Sequence, residues 1–268
     1  MATAEQPIEV MPGPADDDVL RVEGIVKRFG SVEALSGVDL HLRRGEVLGL
    51  IGDNGAGKST LIKIVTGFHR PDAGRILIEG KPVRLRSVPQ ARSLGIETVY
   101  QDLALVDQLS VFHNMFLGKE IRRRPSPLLA SGEMKAKARR YLDDMKVDVP
   151  SIDVEVGALS GGQRQAIAIA RAVYSEVKIL LLDEPLAAMG AKEAAQILEL
   201  IQRLRAKREI SMIIISHTYA QLVDVCDRVN LLRHGRIVFD KRLEDTSVEE
   251  LTELVVSEYR QALRGTGA

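Results

Sequence analysis

An α/β fold with a largely parallel sheet, an antiparallel β layer ahead of it and a helical insertion within it is the architecture this sequence predicts. Three observations carry the prediction. Short β-rich stretches alternate with helical ones along most of the chain. The opening third is instead a run of short strands punctuated by glycines, and between about Gln101 and Ala172 strand signals stop while helical ones continue. With 268 residues the chain is long enough to bury roughly three quarters of its unfolded surface without disulfides or metals.

The elements follow in order. Residues 1–18 carry Glu5, Glu9, Asp16, Asp17 and Asp18 and no Lys or Arg, so a disordered acidic tail is expected there and not a signal peptide, which opens with basic residues. Strands at 19–27, 38–43 and 75–79 are broken by Gly30, Gly37, Gly45, Gly74 and Gly80, the pattern of antiparallel pairs. An apolar strand at 47–51 runs into a glycine-rich loop, and 58–65 beyond it has helical spacing. In the insertion, 131–145 is rich in Ala, Lys, Arg and Leu and reads as helix, as does 163–173. Buried strands then resume at 178–182, 212–215 and 229–232, with a long helix at 191–207 between the first two. A closing helix is expected at 247–263, and Arg122 to Arg124 reads as a solvated loop.

Composition removes several classes of function. The 37 Lys and Arg balance 37 Asp and Glu, so the basic excess of a phosphate-backbone binder is missing and nucleic acid is not an expected partner. Hydrophobic residues at 45% and charged residues at 28% match ordinary globular usage and exclude a wholly disordered or collagen-like chain. The longest aliphatic runs, 179–182 and 212–215, fall far short of the ~18 apolar residues that cross a membrane. The single cysteine, Cys226, forbids an intrachain disulfide and is expected to be a small buried hydrophobe.

The chemistry begins at Gly52-Asp53-Asn54-Gly55-Ala56-Gly57-Lys58-Ser59, followed by Thr60. The loop fits G-x-x-x-x-G-K-[ST] and lies between a predicted strand and a predicted helix, the context that motif requires. Glycines let successive N–H groups converge on one anion, and the helix start adds favourable potential for phosphate. Lys58 would reach the β- and γ-phosphates, and Ser59 would ligate Mg²⁺. An ordinary glycine turn is the competing account.

Two further stretches narrow the reading. The strand 179–182 ends in Asp183-Glu184, which places two carboxylates at the carboxyl edge of the sheet, where α/β folds bind ligands. Asp183 suits the magnesium shell, and Glu184 could polarise the water that attacks the γ-phosphate; a solvated acidic turn is the alternative. Leu159-Ser160-Gly161-Gly162-Gln163 supplies a polar cap and two glycines at a second helix start suited to phosphate, although a helix cap alone would look the same.

In this company the chain resembles the ATP-binding cassette (ABC) family, whose L-S-G-G-Q signature it carries unaltered 23 residues before Asp183. The resemblance covers about residues 19 to 245. It implies a P-loop NTPase (RecA-like) core at 19–100 and 173–268, a helical subdomain at 101–172, and a cassette that hydrolyses ATP with Mg²⁺. Gln101, 43 residues after Lys58, looks like the family's Q-loop glutamine, which contacts metal and attacking water. His217, 33 residues after Glu184, looks like the switch histidine at the γ-phosphate. Phe29 stands where the family places an aromatic that stacks on adenine, with a buried Phe as the rival account. The implied partners are a second copy in a head-to-tail dimer and integral-membrane permease subunits at the cytoplasmic face of the bacterial membrane. An extracytoplasmic sugar-binding protein would act indirectly.

Within the family, residues 52–60, Thr98-Val99-Tyr100-Gln101-Asp102-Leu103-Ala104-Leu105 and Asn114-Met115-Phe116-Leu117-Gly118 are similar to the monosaccharide-import branch. With one cassette and no room after Asp245 for a β-rich regulatory domain, the likeness is to the single-cassette fructose or pentose subgroup. An importer of another small solute, or an ABC ATPase outside transport, is the alternative. One departure stands out. The Asp that commonly communicates across the dimer is Gly190, within Leu186-Ala187-Ala188-Met189-Gly190.

Overall fold

The structure, a computed structural model, describes residues 17–123, 128–217 and 222–246. The expected helix at 247–263 and Arg124 lie outside them, as does residues 1–16 of the expected tail.

Two sheets form the frame. The first is antiparallel, in the order β2 (Val32–Arg43), β1 (Asp18–Phe29), β4 (Ala73–Ile78), β5 (Lys81–Val83). The second runs β10 (Arg236–Arg242), β9 (Arg228–Arg233), β3 (Val47–Ile51), β8 (Ser211–Ser216), β7 (Ile179–Asp183), β6 (Ile96–Val99). All its pairs are parallel except the edge hairpin of β9 and β10.

Strand composition explains the burial. In β7 and β8 every residue from Ile179 to Leu182 and from Ser211 to Ser216 is buried, as befits strands covered on both faces. Ile179, Leu181, Ile213 and Ile215 face the core that holds α1 (Lys58–Val65) and the antiparallel sheet. Leu180, Leu182, Met212 and Ile214 face the opposite core, with α4 (Ser131–Asp144), α5 (Gly161–Val173) and α6 (Ala191–Lys207). Cys226 is buried there too, as expected, and burial pushes its thiol up.

Several bounds differ from the sequence reading. β1 opens at Asp18, which pairs with Arg21 at 3.1 Å, because the strand's register with β2 continues past the last apolar residue. β2 starts at Val32, ahead of position 38, since its first residues are paired though exposed. The short strand β6 and the charged edge strand β10 were not anticipated; they carry too little alternation to read alone. α2 (Val88–Ser93) and α3 (Val111–Met115) are likewise too short to show a period. Between 101 and 172 the described residues hold helices and isolated bridges but no named strand.

Candidate active site

Parallel register assembles the site. Ile51 lies opposite Ser216, Asp183 opposite Ile215 and Val99 opposite Leu182, so β3, β8, β7 and β6 release their chains along one edge. Adjacent strands are about 4.8 Å apart. Gly52, Glu184 and His217 therefore emerge as neighbours, and exposed Gln101 follows β6 on the same edge.

The loop after β3 is shaped by two close approaches. A Cβ on Gly52 would stand 2.2 Å from the Leu232 carbonyl oxygen, and one on Gly57 would stand 2.6 Å from that of Ala34. Only glycine fits either place. Gly57 also has φ +109°, which L side chains rarely adopt. The Ala56 N–H donates to the Asp53 carbonyl at 3.1 Å, and the Leu61 N–H donates back to Gly57 at 2.9 Å. No side chain caps α1, so its first N–H groups face the loop, with Asn54, Gly55 and Ser59 exposed there and Thr60 half-buried beside them.

Lys58 is only 7% exposed, and its ammonium donates to the carbonyls of Gly52 and, at 3.0 Å, Asp53. Burial pushes the Lys58 pKa down, against the pull of Glu184, Asp53 and Asp183. Burial raises the Asp183 carboxyl, Glu184 raises it further, and Lys58 and Lys63 act the other way. A desolvated lysine and a desolvated acid beside an uncapped helix start fit a polyanion with a divalent cation. The triphosphate would satisfy Lys58 and the N–H groups, and the cation would favour the charged form of Asp183.

Glu184 and His217 meet directly. Glu184, the residue after β7, has φ +51°, a left-handed conformation uncommon outside glycine, fixed by its N–H donating to the Ile215 carbonyl at 3.0 Å. Its Oε2 lies 2.8 Å from His217 Nδ1, with the ring 60% and the carboxylate 15% exposed. The ring N–H donates to the carboxylate in that bond. Histidine at a strand end is thus tied to the carboxylate that follows β7.

Phe29 ends β1 with 44% of its surface exposed, so the buried-Phe account does not hold. Its ring meets His69 edge-on at 5.2 Å, and Lys27 Nζ lies 5.5 Å from its centroid. An exposed aromatic face on the hairpin whose Ala34 touches Gly57 is suited to a flat base.

The signature stretch is a helix start of a different kind. Ser160 caps α5: its Oγ accepts from the Gln163 N–H at 3.3 Å, and Gln163 Oε1 accepts from the Ser160 N–H at 3.1 Å. Gly161 is unobstructed, whereas a Cβ on Gly162 would stand 2.9 Å from Glu193 Cβ. The cavity in front of Ser160, Gly162 and Gln163 is walled by Val147, Asp148 and Lys192 and contains no residue of the 52–60 loop. The fold thus gathers Lys58, Asp183, Glu184 and His217, with Gln101 on their edge, and leaves Ser160–Gln163 on another face.

Sequence reasoning missed three supporting residues. Arg171 donates to the carbonyls of Leu103 and Ala104 at 2.8 Å each, pinning the segment after Gln101 to α5. Fully buried Asn114 accepts from the Val106 N–H at 2.8 Å and donates to three carbonyls of 106–110, holding the next loop. Glu193 accepts from the Gly162 N–H at 3.3 Å. Arg171 and Glu193 act on backbone atoms of remote segments, and Asn114 on a loop without a period, which leaves no spacing signal.

The chain belongs to the ABC transporter family: the family's model matches residues 35–187. It is an ATP-binding ATPase cassette with the fold described above. It is 46% identical to the xylose/arabinose import ATP-binding protein XylG of Sulfolobus acidocaldarius over 90% of this chain and 94% of that protein. It is 44% identical to the fructose import ATP-binding protein FrcA of Rhizobium meliloti, over 83% and 87% respectively. A crystal structure of a nucleotide-free ATP-binding cassette from an ABC transporter is 31% identical, covering 89% of this chain and 95% of that one with a TM-score of 0.76.

Proposed function

We propose that this cassette powers uptake of a monosaccharide of the fructose, xylose or ribose type. The observation that carries the sugar class is near full-length similarity to relatives named for xylose/arabinose and fructose import. No helix among the described residues is long and apolar enough to cross a membrane, so passage of the sugar is assigned to permease subunits. The cassette would dock on them from the cytoplasmic face, with an extracytoplasmic binding protein delivering sugar.

In this reading the loop from Gly52 through Asn54, Gly55, Ala56 and Gly57 to Thr60 cradles the phosphates, Lys58 neutralises the β- and γ-phosphates, and Phe29 stacks on adenine. Ser59, Asp183 and Gln101 would hold Mg²⁺, which when bound would offset triphosphate charge and polarise the bond to be cut. Glu184 accepts a proton from the attacking water while His217 orients that carboxylate and reaches the γ-phosphate. Ser160, Gly161, Gly162 and Gln163 complete the site from a second copy, because one chain keeps its cradle and signature on separate faces. ATP then binds the closed dimer better than the open one, and hydrolysis releases it. The core comprises 19–100 and 173–268, and the helical subdomain 101–172 passes movement at Gln101 to the permease.

The test is uptake of radiolabelled fructose, xylose and ribose in a strain deleted for this gene and complemented with wild type or Gln101→Ala. Uptake of at least one sugar is lost on deletion, restored by wild type and not by Gln101→Ala. Unchanged uptake of all three in the deletion strain removes the sugar assignment and favours another small solute or a role outside transport.

A further inference from the structure

The N-terminus of α5 is closed by a carboxylate from another helix. Glu193 lies in the first turn of α6. Its Oε1 accepts from the Gly162 N–H at 3.3 Å, and that N–H, followed by the nearby Ser160 hydroxyl and Gly190 N–H, holds the carboxyl below its ordinary pKa. Ser160 Oγ accepts from the Gln163 N–H, which leaves its one proton available on the side where Glu193 lies. The side chain lies flush on the helix start, with Glu193 Cβ 2.9 Å from where a Gly162 Cβ would be. Gly190, where the family often has an Asp, contributes no carboxylate to this junction, whereas Glu193 does.

We propose that Glu193 is a placeholder anion: it occupies the Gly162 N–H beside the Ser160 hydroxyl as a phosphate oxygen would, and the γ-phosphate carried by a second copy displaces it when the dimer closes. The inference rests on the reading in which Ser160 completes the partner's ATP site. Each donor has one proton to give, so carboxylate and phosphate cannot both hold it, and two anions at one helix start repel. The displaced carboxylate stays near the Gly190 N–H and within the field of Arg164. Glu193 therefore sets how much ATP is needed for closure and opposes closure when no γ-phosphate is offered.

The experiment uses the full chain with Glu184→Gln, in which ATP-dependent closure is read as a dimer by size exclusion with light scattering. Adding Glu193→Gln, which keeps the side chain's size and one accepting oxygen, lowers the ATP concentration for half-dimerisation roughly tenfold, the weight of a charge-assisted contact. Glu193→Ala moves it the same way. A midpoint that is unchanged, or raised whether or not the thermal melt falls, overturns the proposal and makes Glu193 a brace between α5 and α6. Ser160→Ala in the same background separates the two readings. If it abolishes the dimer while the Glu193 variants fail to tighten it, only the placeholder is lost; if the dimer survives it, the shared site is lost as well.

Discussion

The two edges of the parallel sheet use the same residue types to opposite ends. At the amino edge, Asp227 accepts from the Val47 N–H at 2.8 Å, from Arg205 at 2.7 Å and from Arg208 at 3.1 Å. Beside it, buried Arg228 donates to Glu46 at 2.7 Å, to Asp240 at 2.6 Å and to the His41 carbonyl at 2.6 Å. Charges there are matched. At the carboxyl edge, Lys58 is bonded to carbonyls of its own loop, and Asp183 feels its neighbours through space. The first edge spends its charges on tying β3 and β9 to β2, β10 and the end of α6; the second keeps them poised for a ligand. Matched ions stabilise only as partners, whereas desolvated, partly matched ones mark where chemistry is done.

Removing the poised lysine makes the largest break. Lys58→Ala is expected to abolish ATP turnover without lowering the melting temperature, because burying that ammonium costs the apo fold free energy. Turnover at the wild-type rate would dissolve the distinction between the edges. Glu184→Gln comes next: hydrolysis slows roughly 10²- to 10⁴-fold while ATP binding persists, as single-turnover kinetics beside a binding isotherm would show.

At the amino edge the expected effect moves from rate to stability. Arg228→Met leaves Glu46 and Asp240 without their buried partner and should cost about 3–5 kcal/mol in urea unfolding. Turnover per folded molecule should stay within about twofold; a selective loss of turnover would show the edges to be coupled.

The smallest effect is a pH contrast between two carboxylates. Burial alone would raise Asp227, but the Val47 N–H, Arg205 and Arg208 outweigh it and hold its pKa below the usual carboxylate value. Its stabilising contribution is complete above that usual value and fades as pH falls through the lowered one. Asp183 is raised, so its contribution is complete below the usual value and is lost as pH rises through the raised one. Urea midpoints should therefore show Asp227→Asn less stable than wild type at pH 7, Asp183→Asn more stable there, and both differences shrinking in acid. Equal midpoints for the three proteins at pH 7 would remove the contrast.

Legibility followed the distance over which each interaction acts. The loop 52–60, the pair Asp183-Glu184 and the stretch 159–163 could be read because strand, glycines and helix start are contiguous and geometry follows from the chain itself. The helix bounds at 58–65 and 191–207 coincide with the structure for the same reason: a 3.6-residue period over several turns is local. The strands β6 and β10, and the extension of β2 back to Val32, were not readable because partner strands create them. Glu193 escaped notice since its donor lies 31 residues away.

By itself, then, the sequence determined the glycine-rich loop before α1, the acidic strand end, the capped signature helix and the family they define, since each is written in contiguous residues. Tertiary structure decided what those parts face. Parallel register set His217 against Glu184, close approach made Gly52 and Gly57 irreplaceable, and helix packing laid Glu193 on the Gly162 N–H beside Ser160. These depend on atoms brought within a few ångströms from distant positions, and hydrogen bonds and desolvation act only at that range.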